Sequence, residues 1–205
     1  MKAKVFIFLS ILAVSLMGDM VVSNASQNQT EPSSAGLNHK TFVGWTDSRS
    51  GTSNLNIYGN IVDSSGGLIG SDIPICVTPS SNQYDVATAS GGAFVVAWID
   101  EVSGNPEIHA VQVNEDGSLP YSEMTLTSNT NSKDSPSADN IGNDIMIVWQ
   151  ESSTRKIIRG QRLTWSGSQY STAGSPFDIS GATYDAFDPD ICGGTSDYLV
   201  VWSDT

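Results

Sequence analysis

The sequence is short of the residues from which most catalytic and metal sites are built. Among its 205 residues are two histidines and two cysteines. A histidine-based triad or a zinc cluster needs partners for His39 and His109, and the sequence gives no sign of them. Basic residues are scarce as well: nine against 22 acidic ones, for a formal net charge of −13. A chain this acidic repels nucleic acid and anionic membrane, so neither is expected as a partner. After the first 25 residues no stretch approaches the roughly 20 apolar residues of a membrane-spanning helix. Helical periodicity is missing throughout.

The N-terminus is different. Lys2 and Lys4 precede an apolar run from Val5 to Met17, and Ser23-Asn24-Ala25 supplies the small residues that a signal peptidase reads. Residues 1–25 therefore read as a secretory signal peptide, cleaved after Ala25. The remaining chain would carry a charge of −14, with seven basic and 21 acidic residues, and is expected to be exported to the cell surface or beyond. Arg155, Lys156, Arg159 and Arg162 cluster in one short stretch and read as a solvated strand face. Asn28-Gln29-Thr30 is a glycosylation sequon, relevant in a host that glycosylates.

What the chain does have is one strand written four times. It reads Phe42 to Asp47, Phe94 to Asp100, Ile145 to Glu151 and Tyr198 to Asp204, each apolar and ending in Trp-x-acid. The tryptophans Trp45, Trp98, Trp149 and Trp202 are separated by 53, 51 and 53 residues. A period of about 50 residues marks a repeat architecture. A second strand follows, anchored by Ile57, Ile108 and Ile158 and closed by a glycine turn at Gly66, Gly117 or Gly167. A third, short strand is expected at Ile73–Thr78, Met124–Thr127 and Phe177–Ser180. A fourth precedes the Trp strand, at Glu31–Ala35, Asp85–Ala89, Ser135–Ala138 and Asp188–Cys192. Pro32, Pro136 and Pro189 each stand 13 residues before their Trp. Proline at the start of a strand costs no ladder hydrogen bond.

Phe94, Val96 and Trp98 alternate with Val95, Ala97 and Ile99, so this strand is apolar on both faces and must be covered on both. Four-stranded sheets in repeat, each sandwiched between two others, are the blades of a β-propeller. The fold expected is all-β: a propeller-like array of four-stranded antiparallel blades, three complete and half of a fourth. The repeats begin near residues 31, 85, 135 and 187, the last ending at Thr205. The count predicts a fragment of a longer protein or, failing that, self-association through the incomplete fourth blade. The map also puts Cys76 on an outermost and Cys192 on an innermost strand of different blades, so both are expected to be unpaired.

The repeat resembles propeller repeats in secreted and surface proteins of bacteria and archaea, whose pattern is Trp-x-Asp, then Ile-Tyr, then Asp-x-x-Gly. Trp45-Thr46-Asp47 with Arg49 and Gly51, Ile57-Tyr58 and Asp63-Ser64-Ser65-Gly66 match it best. The second repeat keeps Trp98, Asp100, Gly104, Ile108 and Gly117, while the third has Glu151 for the Asp. The resemblance implies that the Pro-led strand is innermost. It carries little about activity.

Four sets of residues are candidates for function. Asp47, Asp100 and Glu151 could hold calcium, a hard cation that takes carboxylate oxygens, though each acid could equally close a turn by accepting backbone N–H groups. No other cofactor is implied. Trp165 sits at a turn where an exposed tryptophan is unexpected; it could meet a glycan or a partner, or lie flat on the neighbouring blade. Asp85, Asp188 and Asp190 fall at the mouth of the expected channel and could bind a ligand or serve a glycosidase. With no catalytic constellation evident, the first expectation is a non-enzymatic module presenting loops to protein or glycan. The second is a secreted glycan-active or lactonase-like propeller enzyme.

Overall fold

The computed structural model describes residues 4–5, 19–79, 81–181 and 183–205. Most of the expected signal peptide lies outside them. Among the described residues there are sixteen strands and no helix, so none of them forms a helix long and apolar enough to cross a membrane. Strands β1 (Lys4–Val5) and β2 (Met20–Val21) form a small antiparallel pair. The first sheet holds β3 (Gln29–Leu37), β4 (Lys40–Asp47), β5 (Asn56–Val62) and β6 (Leu68–Cys76). The second holds β7 (Gln83–Ser90), β8 (Phe94–Asp100), β9 (Glu107–Val113) and β10 (Met124–Thr125). The third holds β11 (Ser132–Ile141), β12 (Asp144–Ser152), β13 (Lys156–Trp165) and β14 (Tyr170–Asp178). Strands β15 (Ala186–Gly193) and β16 (Tyr198–Asp204) pair as a fourth, two-stranded sheet.

Every sheet is an antiparallel meander in sequence order. The first strands lie side by side, β3 against β7, β7 against β11 and β11 against β15, so the sheets fan outward from them. That is a propeller-like arrangement. The inner hairpin of the first sheet turns on Asn38 and His39, both at positive φ, the combination a two-residue hairpin turn needs.

The outer strands differ from the sequence reading in the first and third sheets. They start earlier, at Leu68 and Tyr170, opposite Val62 and Trp165. Once the glycine turn closes, ladder partners are at hand and pairing begins at once. These edge strands face water on one side, so they lack the apolar run by which the inner ones were recognised. Cys76 lies on β6 and Cys192 on β15, both as free thiols.

The core lies between the sheets. Phe94, Val96 and Trp98 pack on Phe42, Ile57 and Ile61 of the first sheet. From the other side of the same strand, Val95, Ala97 and Ile99 pack on Ile145, Ile147 and Trp149 of the third. All these side chains are fully buried. Met20 and Val22, which precede the expected cleavage point at Ala25, pack over Trp45. Lys133 is also fully buried, its Nζ 2.8 Å from Glu107 and bonded to oxygens of Asn129 and Asn131, which clamps the second and third sheets together. Trp202 sits at the same repeat position but is 39% exposed.

The four tryptophans should therefore differ in weight. Trp98→Ala is expected to cost about 3–5 kcal/mol in urea denaturation, and Trp202→Ala roughly 1 kcal/mol. Equal losses would contradict the packing described.

Candidate active site at the inner-strand bulges

Every inner strand carries the same irregularity. The ladder slips between Thr30 and Ser33, between Tyr84 and Ala87, between Asp134 and Ser137, and between Phe187 and Asp190. In each case two residues oppose one, which is a β-bulge. The single residue opposite is Trp45, Trp98, Trp149 or Trp202. The first bulge residue is Glu31, Asp85, Ser135 or Asp188, with φ of 52°, 59°, 50° and 48°. Only glycine takes that left-handed conformation without strain, and other residues held there cost of order 1–3 kcal/mol. A bulge re-aims its side chain, and here all four are turned toward one another.

Hydrogen bonds link them from sheet to sheet. Asp85 N–H donates to Glu31 Oε2 at 2.9 Å, and Thr46 Oγ1 donates to the same oxygen at 2.7 Å. Ser135 N–H donates to Asp85 Oδ2 at 3.0 Å. Ser135 Oγ donates to Asp188 Oδ1 at 3.1 Å. One step down the strands, Ser137 Oγ donates to Asp190 Oδ1 at 2.9 Å. Asp85 and Asp188 thus share one serine, and their carboxyl oxygens stand within about 10 Å of each other.

Electrostatics separate the two. Burial pushes the Asp85 carboxyl up, and Glu31, Asp134 and Asp188 push it further against the bond from Ser135, to about 6. Asp188 is exposed. Beside Asp85, burial and Glu101 hold the Tyr84 phenol well above its ordinary range, and its hydroxyl donates to Glu101 at 3.1 Å. It stays a donor at any physiological pH.

The structure therefore links Asp85 and Asp188 through Ser135 and adds Glu31, while Asp190 stands two residues along and bonds Ser137 instead. Trp165 is elsewhere. It ends β13 at the far end of the sheets, stacked on Tyr170 with ring centroids 4.8 Å apart and lying against the Gly91-Gly92 turn of the second sheet. A Cβ on Gly92 would come within 2.2 Å of its ring. Asp47, Asp100 and Glu151 lie in three different sheets. Each accepts the indole N–H of its own tryptophan, at 2.9, 3.5 and 3.3 Å. Asp47 and Asp100 also close the following turn by accepting the N–H of Arg49 and Val102, both at 2.7 Å. Burial pushes Asp47 up, but the Arg49 guanidinium and the indole outweigh it and hold its carboxyl below the usual range. Among the described residues no group of three or more His, Cys, Asp or Glu is arranged to hold a metal ion.

The sequence reading missed Glu31 and Ser135 as partners in this site. A signal was present: each immediately precedes a proline 13 residues ahead of its Trp, at the position of Asp85 and Asp188 in the repeat.

No protein-family model and no curated protein sequence matches the chain. Solved structures do share its fold. An α-L-arabinofuranosidase from Lactobacillus brevis superposes with a TM-score of 0.54 at 11% identity, over 87% of this chain and 66% of the enzyme. An endo-arabinase from Bacteroides thetaiotaomicron gives 0.52 at 13%, over 88% and 76%. An α-L-arabinofuranosidase from Clostridium thermocellum gives 0.54 at 14%, over 88% and 63%. At such identities the likeness establishes the fold. The chain spans about two thirds of the length of these enzymes. The first expectation, a non-enzymatic binding module, is corrected here: these solved structures that share the fold are glycoside hydrolases, which favours the second expectation.

Asp85 gives a prediction that needs no substrate. A carboxyl raised above its unfolded value binds more protons in the folded state, so its contribution to stability is present below the unfolded pKa, near 4, and is lost as pH rises through about 6. Asp85→Asn removes that loss. With part of the site open to water, about 1 kcal/mol is expected at pH 7.5, a rise in Tm of ~2–4 °C. At pH 4 the two proteins should melt together.

Proposed function

We propose that this chain is the glycan-binding and catalytic part of an exported glycoside hydrolase of propeller-like fold. The observation that carries this reading is the pairing of Asp85 and Asp188 through Ser135, with the Asp85 carboxyl held up to about 6. Glycoside hydrolysis needs two carboxyl groups flanking one bond, roughly 5–9.5 Å apart, one of them a proton donor. Burial and the Glu31 charge suit Asp85 to protonate the leaving oxygen, as a raised carboxyl does in such enzymes. Asp188, open to solvent, suits the base or nucleophile. The glycoside hydrolases that share the fold support the reaction class, and their activities suggest arabinose-containing glycans as first substrates to try. The signal-like residues 1–25 support action outside the cell. Three sheets and a fourth pair of strands make up the part of the propeller in this chain, and any remaining sheets would complete the walls of the cleft.

The test is hydrolysis of 4-nitrophenyl α-L-arabinofuranoside, the β-D-xylopyranoside and linear arabinan. Wild type should turn over at least one of them, with kcat/KM falling as pH rises through about 6, because Asp85 is then ionised and cannot donate. Asp85→Asn and Asp188→Asn should each lose about 10²–10⁴-fold. Activity that survives both substitutions would remove these residues from the chemistry.

A further inference from the structure

Ser135 is the odd member of the four bulge residues. The other three positions hold carboxylates, and a serine at left-handed φ gains nothing there that glycine would not give more cheaply. Its two polar groups go to different acids. The backbone N–H donates to Asp85 Oδ2 at 3.0 Å and to Asp134 Oδ1 at 3.0 Å. The hydroxyl donates to Asp188 Oδ1 at 3.1 Å. A carboxylate in its place would put a fifth negative charge among Glu31, Asp85, Asp134 and Asp188, and would leave Asp188 without its donor.

We propose that Ser135 is a positioning residue: its left-handed bulge aims one donor at each of two carboxyl groups, fixing Asp85 through the main chain and Asp188 through the hydroxyl. The consequence is asymmetry. With Oδ2 of Asp85 committed to an N–H, an acidic proton on that group belongs on Oδ1. The hydroxyl bond to Asp188 sets its rotamer. The hydroxyl reaches Asp188 across the boundary between the third and fourth sheets, so it also holds the two halves of the site in register. The catalytic consequence rests on the glycoside hydrolase reading above. The contact itself does not.

Two substitutions separate positioning from backbone effects. Ser135→Gly and Ser135→Ala both remove the hydroxyl and keep the N–H, but glycine relieves the strain at φ 50° and alanine does not. In crystal structures of the full chain, the Asp188 carboxyl should leave its wild-type rotamer in both variants, since its partner hydroxyl is gone. The Tm should part them, with glycine equal to wild type or above it and alanine at or below it. An Asp188 rotamer unchanged in both variants would overturn the proposal, whatever the enzyme assay shows. If wild type hydrolyses a test glycoside, both variants should lose at least tenfold in kcat with KM within about twofold. A loss confined to KM would also overturn it. If no glycoside is hydrolysed, the functional reading fails and the Asp188 rotamer still decides whether Ser135 holds Asp188.

Discussion

No sheet in this protein can stand alone. Its second strand is apolar on both faces, so each sheet is stable only when pressed between neighbours, and the largest side chain on that strand, the tryptophan, fills the gap. Fully buried, an indole must still satisfy its N–H. The acid two residues on does so in three sheets, and in two of them it ties down the following turn with its other oxygen. The Trp-x-acid signature is thus a self-contained device for burying a large aromatic ring at the end of a strand.

The same tryptophan stands opposite the bulge on the innermost strand in every sheet. Packing and chemistry are therefore joined at one rung of the ladder. On one side of the rung is the ring that holds neighbouring sheets together. On the other is the left-handed residue that reaches across to the next sheet, Glu31 to Asp85, Asp85 to Ser135, Ser135 to Asp188. The site is a by-product of the way the sheets are stacked, repeated at each junction with a different side chain.

Much of this was legible in the sequence, and the reasons are physical. Strand order and the buried faces follow from alternation within one strand and from the 50-residue period, both of which are local. The carboxylate bonds are not, since each joins residues about 50 positions apart through a backbone conformation that no periodicity reports. Trp165 shows the same limit. Its turn position allowed either exposure or a ring flat on the next blade, and only the structure shows it on Gly92, 73 residues earlier, where the lack of a side chain makes the room. The functional expectation failed for the same cause. The sequence grouped Asp85, Asp188 and Asp190 at the channel mouth, but only the bulges show that Ser135 joins the first two.

The bulge also limits what the site can become over evolutionary time. A residue held at φ near 50° excludes β-branched side chains and tolerates aspartate, asparagine and glycine. Drift at these four positions is filtered by the backbone before any selection for activity begins, and what passes is mostly small and polar. A lineage of such repeats would keep presenting acids and amides at its inner end even without a substrate. New hydrolytic activities would then start from a half-built site, and their diversity would lie in the loops around it.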